Sequence, residues 1–334
     1  MPSLSAAALT ELAERALQQG GAGPAMAKIT ARALVAADMQ GLATHGVARV
    51  PFYCSFLRNG RADGKAEPRI VKEKSAVCLI DNADGLPYAS CELAVSEAIR
   101  RAQQFGIGYA GIQRSGHVGA LALNLLPVVD ADMVGIALSN SPAAIPAWGG
   151  SKALYGTNPI AAVFPRAGRE PLIIDQSLTT VTRGKIMLAA QKNEPIPEGW
   201  ALDRTGRPTT DPKAALEGGS LFPIGGVKGA MLALTFELLC TALTGAAIGA
   251  EADSFFSEQG NRPRIGQSFL VIDPAALAGA AVYQERIETL LAAMLAEPGV
   301  RLPGARRHAA ATAAQRDGID VSAELLRQLE ELAR

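Results

Sequence analysis

The sequence predicts a mixed α and β fold, on three observations. The first sixty residues read as helices with no strand between them. From about residue 70, short apolar runs alternate with amphipathic stretches, the pattern of strands joined by helices. The chain has 334 residues, 49% of them hydrophobic and 19% charged, enough to bury cores in roughly two domains.

Taken in order, Ser3 is expected to cap a helix over 4–19, ended by the glycine-rich run at 20–23. A second helix spans 24–39. A third helical segment lies near Thr44, where Pro51 must interrupt or restart it and Arg58-Asn59-Gly60 closes it. Strands are expected at 76–81, 106–113, 133–139, 161–164, 172–175 and 269–273. Helices are expected at 89–104, 120–130, 182–192, 229–243 and 284–296. After Pro303 the tail is rich in Arg and Ala, then helical from about 321. A boundary near residue 70 divides the chain. Residues 1–70 with about 280–334 form a helical domain, and 71–279 a sheet domain.

Composition removes several functions. Lys and Arg total 32 against 32 Asp and Glu, a balance that argues against a nucleic-acid protein while leaving room for a local cationic pocket. Cys54, Cys78, Cys91 and Cys240 have neither C-x-x-C spacing nor the density of a disulfide framework, and read as reduced thiols. The run at 229–250 imitates a membrane span, but Glu237 sits inside it and no aromatic belt flanks it, so a buried helix is expected. The start of the chain lacks the pattern of a signal peptide, which predicts a cytoplasmic protein. Neither G-x-G-x-x-G nor a Walker loop is present, so a Rossmann or P-loop site has no support. No metal-ligand spacing occurs.

The chain has three histidines, so imidazole chemistry has few places to reside. Thr44-His45-Gly46-Val47-Ala48-Arg49 puts His45 and Arg49 four apart, on one face if the segment is helical. That pairs a proton donor with a bidentate cation, suited to a substrate carboxylate. Alternatively Thr44 caps the helix, His45 is an interior imidazole and Arg49 is solvated. Arg114-Ser115-Gly116-His117 follows an apolar strand and precedes a helix start, where backbone N–H groups bind anions and the helix terminus lowers the pKa of His117. An ordinary strand-to-helix turn is equally compatible. Asp175-Gln176-Ser177 ends a strand, where an acid accepts from ribose hydroxyls or caps the next helix. Gly225-Gly226-Val227-Lys228 opens the long apolar helix, either as a further anion site or as a flexible helix entry with a solvated lysine. Arg306-Arg307-His308 follows Pro303-Gly304, either a solvated loop or a phosphate clamp.

In this order, these segments resemble the malate/L-lactate dehydrogenase-like family of NAD(P)-dependent oxidoreductases, which is distinct from the Rossmann lactate and malate dehydrogenases. The resemblance runs from about residue 4 to 320 and is carried by THGVARVP at 44–51, GTNPIA at 156–161, EPIPEGWALDRTGRPTTDP at 194–212 and LFPIGGVKG at 221–229. It implies a homodimer, with a helical domain and a non-Rossmann NAD(P)-binding domain on a mixed sheet. It implies that His45 is the acid/base residue, assisted by Thr44. Arg49 then binds the substrate carboxylate and Thr157 is a second substrate contact. His117, Val118, Gly119, Ala120, Leu121, Asp175, Gln176, Ser177, Val227, Lys228, Arg306 and Arg307 match cofactor contacts. In some members the histidine matching His117 is the proton acceptor, so His45 and His117 compete for that role. Lys185 stands where the cyclic-imine reductases of the family have an aspartate. A lysine there suits an anionic 2-oxo acid better than a ring nitrogen that becomes cationic. The implied substrates are small 2-hydroxy acids of the malate, lactate or sulfolactate type. The alternative is a Δ1-piperideine-2-carboxylate or Δ1-pyrroline-2-carboxylate.

Overall fold

The computed structural model describes residues 2–334. Helix α1 (Ala6–Gln19) is capped by Ser5, whose hydroxyl accepts from the Ala8 N–H at 3.2 Å. The expected cap, Ser3, instead pairs with Asp320 in a two-residue bridge between the chain ends. That pairing involves residues more than 300 positions apart, which no local pattern reports. Helix α2 (Pro24–Met39) has the expected limits, because a proline in its first turn gives up no hydrogen bond. Pro51 plays the same part at the start of α3 (Val50–Arg58), restarting the helix.

The sheet follows. Its elements are β1 (Arg69–Lys74), β2 (Val77–Asp81), α4 (Tyr88–Phe105), β3 (Ile107–Ser115), α5 (Leu126–Asp130) behind a 3-10 turn at Leu121–Leu125, β4 (Val134–Ser139), β5 (Ile160–Arg166), β6 (Arg169–Gln176) and β7 (Ile265–Ile272). The seven strands run in the order β1-β2-β3-β7-β4-β5-β6. Only β2 and β3 are parallel neighbours, joined through α4, and every other pair is antiparallel. β1 has no expected counterpart. It is exposed along its whole length, and its charges protect a sheet edge. β7 is the last of these seven strands along the chain, yet it lies at the centre of the sheet, between β3 and β4.

Between β6 and β7 come α6 (Arg183–Lys192), α7 (Pro212–Leu216) and α8 (Val227–Cys240). The first two pack around Ile186, Ile196, Ala201, Ala215 and Leu221 in a small lobe of its own. No helix among the described residues is long and apolar enough to cross a membrane. α9 (Ala280–Leu295) departs from the expected division of the chain. It lies on the β5–β6 hairpin, where Glu288 pairs with Arg166 at 2.6 Å and the Tyr283 hydroxyl donates to the Pro165 carbonyl. The Arg/Ala-rich tail is helical as α10 (Ala305–Asp317), since its alanines are strong helix formers. α11 (Ala323–Leu332) returns to the N-terminal helices, contributing Leu329 to a core with Leu9, Leu17, Leu34 and Tyr53. A second core, with Ile80, Ala98, Ile112, Leu125 and Phe269, lies between the sheet and α4.

Candidate active site

The segment after α2 is not one helix. Two 3-10 turns, Ala43–His45 and Val47–Arg49, are separated by Gly46 in an extended conformation. Asp38, near the end of α2, causes the break by accepting from the Val47 N–H at 2.7 Å. A Cβ on Gly46 would lie 2.0 Å from the Asp38 carboxylate, so only glycine fits there. Burial pushes the Asp38 carboxyl up to about 6. His45 and Arg49 therefore do not share a helical face, as their spacing had suggested. Arg49 folds back instead, its Nε donating to the Thr44 carbonyl at 2.8 Å. Thr44 caps nothing, and its hydroxyl sits 2.9 Å from His45 Nδ1.

Arg49 is buried at 8% exposure, with no carboxylate partner among the described residues. Phe256 lies under its guanidinium, 4.9 Å from carbon to ring centre. His117 comes from the loop after β3, in the other half of the fold, and stacks on His45 with ring centres 5.7 Å apart. Phe255 meets the His117 ring edge-on at 5.2 Å. Burial, then Arg49, holds His45 down at about 4. Asp175 opposes this and Arg307 adds to it. Burial, then Arg49 and His45, holds His117 well below the ordinary imidazole range. The expected lowering at His117 is thus present, but not from a helix terminus, because the next helical turn begins only at Leu121.

Val118, Ala120 and Leu121 are buried, so a ligand at 117–121 meets mainly backbone. Asp175, at the end of β6, accepts from the Ala122 N–H at 3.2 Å and from Arg307 at 3.1 Å. It therefore tops the 3-10 turn at Leu121 and pins Arg307, rather than capping the helix that follows it. Gln176 ends β6, and the Ser177 hydroxyl bonds that of Thr179 at 3.0 Å. The Thr157 carbonyl accepts from Leu178 N–H, and the Leu178 carbonyl accepts from Ile224 N–H, both at 2.8 Å. These bonds bring Thr157, Ser177 and the Gly225-Gly226 entry of α8 together. Val227 and Lys228 are exposed on the first turn of α8, whose N–H groups have no side-chain cap. Lys185 and Arg306 are exposed on the first turns of α6 and α10, and neither has a side-chain partner among the described residues.

Several side chains that shape this region carried no site signal in the sequence. Glu237, which had served only to argue against a membrane span, is buried at 3% exposure. Its carboxylate accepts from Gly249 N–H at 2.7 Å, Asn158 Nδ2 at 2.8 Å, Asn140 Nδ2 at 3.2 Å and Gly156 N–H at 3.4 Å. The turn that carries Thr157 thus hangs from α8. Arg61 donates to the carbonyls of Asp253, Ser254, Ser257 and Asn261, strapping down the loop that bears Phe255 and Phe256. Tyr53 and Tyr88 hydrogen bond to one another behind His117. With aromatics at only 5% of the chain, their scarcity was the one available clue to these four rings.

Comparison with known proteins is consistent in direction. Residues 4–330 match the family model described as malate/L-lactate dehydrogenase. The chain is similar to (2R)-3-sulfolactate dehydrogenase (NADP(+)) of Chromohalobacter salexigens, 46% identical over 298 residues that cover 89% of this chain and 88% of the relative. It is 34% identical to the Δ1-pyrroline-2-carboxylate/Δ1-piperideine-2-carboxylate reductase of Pseudomonas putida, over 97% of this chain and 95% of that one. Among solved structures, Δ1-piperideine-2-carboxylate reductase from Pseudomonas syringae superposes with a TM-score of 0.93 at 32% identity, covering 99% of this chain and 100% of that one. Sulfolactate dehydrogenase from Methanocaldococcus jannaschii superposes with a TM-score of 0.90 at 32% identity, covering 99% and 96%.

Proposed function

The chain belongs to the malate/L-lactate dehydrogenase family and is an oxidoreductase, and from that premise we propose that it moves a hydride between NAD(P) and C2 of a small 2-hydroxy/2-oxo acid. The observation that carries the reading is Arg49. A buried guanidinium without a carboxylate partner is costly unless a ligand supplies the counter-charge. Its fork stands beside two stacked imidazoles that are neutral at pH 7. A substrate carboxylate on Arg49 satisfies the fork and sets C2 near the rings. It also cancels the positive charge that depresses both histidines, so either ring holds a proton more readily once substrate is in place.

The residues fit a nicotinamide dinucleotide. The α8 entry offers uncapped N–H groups behind two left-handed glycines, Gly225 at φ +63° and Gly226 at φ +68°, with Lys228 exposed beside them. Arg307, held by Asp175, is a second fixed cation. Val227, Lys228, Gln176, Ser177, Arg306, Arg307 and the backbone at 117–121 would hold the cofactor, which supplies or accepts the hydride when bound. Residues 71–279, with α9 against the sheet, then form a non-Rossmann nucleotide-binding domain, and 1–70 with α10 and α11 a helical one. Thr157 and Thr44 act as substrate contact and hydroxyl partner of His45.

For the substrate we favour a 2-oxo acid with a second anionic group, of the malate or sulfolactate type. Lys185 on the first turn of α6 supports this, as does the 46% identity to a sulfolactate dehydrogenase. The same reading makes the protein a cytoplasmic homodimer. α8 and the turn after it leave Met231, Leu232, Leu238 and Leu243 at 45–63% exposure, an apolar surface suited to a second copy of the chain. Turnover of NADH and NADPH with pyruvate, oxaloacetate and sulfopyruvate, set against Δ1-piperideine-2-carboxylate, tests the substrate class. Oxo acids are expected to be reduced, and turnover of the cyclic imine alone would replace this reading with the reductase one. Light scattering on the eluting protein should give a dimer mass.

A further inference from the structure

His45 and His117 share a site, but their supports differ. Three groups meet at the Tyr53 hydroxyl oxygen: His117 Nδ1 at 2.9 Å, the His117 carbonyl at 3.1 Å and the Tyr88 hydroxyl at 3.1 Å. Tyr53 has one proton to give. The carbonyl can only accept, and it has no other donor among the described residues. Both tyrosines are buried, at 2% and 4% exposure, so bulk water does not make up a missing bond. One arrangement satisfies every group. Tyr53 donates to the His117 carbonyl, Tyr88 donates to Tyr53, and the imidazole donates to Tyr53 from Nδ1. If Tyr53 gave its proton to Nδ1 instead, the carbonyl would be stranded, at a cost of roughly 1–3 kcal/mol.

We propose that Tyr53, backed by Tyr88, is a positioning residue that fixes His117 as the Nδ1–H tautomer, leaving the Nε2 lone pair as the site's proton acceptor. The ring also packs against His45, stacked, and against Phe255, edge-on. Gly119 makes room for the device: its φ is +65°, and a Cβ there would lie 2.6 Å from the Tyr88 hydroxyl. His45 has no comparable support. Its Nδ1 meets only the hydroxyl of exposed Thr44, a rotor that donates or accepts and so leaves both tautomers open.

The consequence rests on the oxidoreductase reading. In the oxidative direction the substrate O–H bond breaks and an N–H bond forms at Nε2. The oxygen's electron pair closes the C2=O bond as the C2–H pair departs as hydride to the oxidised nicotinamide. The imidazolium then carries protons on both nitrogens, and its Nδ1–H still donates to Tyr53. No hydrogen bond has to reverse, so the same network serves the return reaction.

The test is long-range proton–nitrogen correlation NMR of the cofactor-free protein with 15N-labelled histidine, where three imidazoles give a readable spectrum. The signal lost in His117→Gln identifies His117. We expect a neutral Nδ1–H tautomer for it at pH 7. A neutral Nε2–H tautomer in the wild-type protein overturns the proposal without any variant having to fold. Tyr53→Phe should abolish the preference and lower kcat for alcohol oxidation by about 10²-fold with KM little changed. Tyr88→Phe should leave the tautomer in place. An unchanged tautomer in folded Tyr53→Phe also overturns the proposal. Failure of every 2-oxo acid to turn over would instead refute the proposed function and leave the tautomer result standing.

Discussion

Glu237→Gln exchanges one carboxylate oxygen for an amide nitrogen in a site where all four neighbours are donors. Each oxygen takes two of them: Gly249 and Asn140 on one, Asn158 and Gly156 on the other. Either orientation of the glutamine therefore sets an NH2 against two N–H groups. Flipping a neighbouring amide does not rescue it. Asn158 Nδ2 also donates to the Ala233 carbonyl at 2.8 Å, and Asn140 is pinned through Ala247 O at 2.9 Å and Gly266 N at 2.8 Å. Two bonds to a charged acceptor, at about 1.5–3 kcal/mol each, are lost. The variant is relieved of the wild type's buried charge, which returns part of that, so a net destabilisation of about 3 kcal/mol is expected. Thermal denaturation should show a fall of at least about 5 °C in the midpoint. Because the Thr157 turn hangs from this carboxylate, KM for the oxo acid should rise. kcat should move less, since both histidines hang from other elements. A midpoint within about 1 °C of wild type would refute the reasoning, because it would mean that the donors find other acceptors at no cost.

Arg49→Lys keeps the charge but loses the planar fork, so steady-state kinetics should show KM raised by about 10-fold or more with kcat retained. The pH profile follows from the depressed imidazole of His117. The base must be unprotonated, so with His117 held well below the ordinary imidazole range kcat/KM for alcohol oxidation should stay level as pH falls through about 6.5. An acid limb at the ordinary imidazole pKa of about 6.5 would contradict the depression of His117. Asp38 shifts the opposite way: its folded pKa lies above its unfolded one, so its stabilising contribution is complete at low pH and is lost as pH rises through about 6. Asp38→Asn, which mimics the protonated acid toward Val47, should therefore gain stability relative to wild type between pH 5 and pH 8 in paired melts, and an equal difference at both pH values counts against it.

Much of the fold was legible in the sequence where the governing interaction is local. Pro24 marks the start of α2 because a first-turn proline gives up no hydrogen bond, and apolar runs mark β4 and β6 because a strand needs only such a run. β1 was not legible, because its exposed charges are those of a loop until β2 lies beside it. In the site, His45, His117 and Arg49 stood out by scarcity and spacing, yet the helix inferred from that spacing does not form. Asp38 intervenes from nine residues upstream, and only Gly46 lets it approach.

By itself the sequence determined the family, through motifs whose order along the chain it records. Tertiary structure decided the rest. It stacked a histidine from the helical core's side on one from the sheet's, and gave His117 but not His45 a pair of buried tyrosines. It surrounded Glu237 with donors that include Asn158 and Asn140, 79 and 97 positions away. The division has one physical cause. Caps, proline starts and apolar periodicity act over a few residues and leave their trace in neighbouring letters. The partner of a buried charge or an imidazole is whichever distant segment the packing of the core brings against it, and no local pattern records that choice.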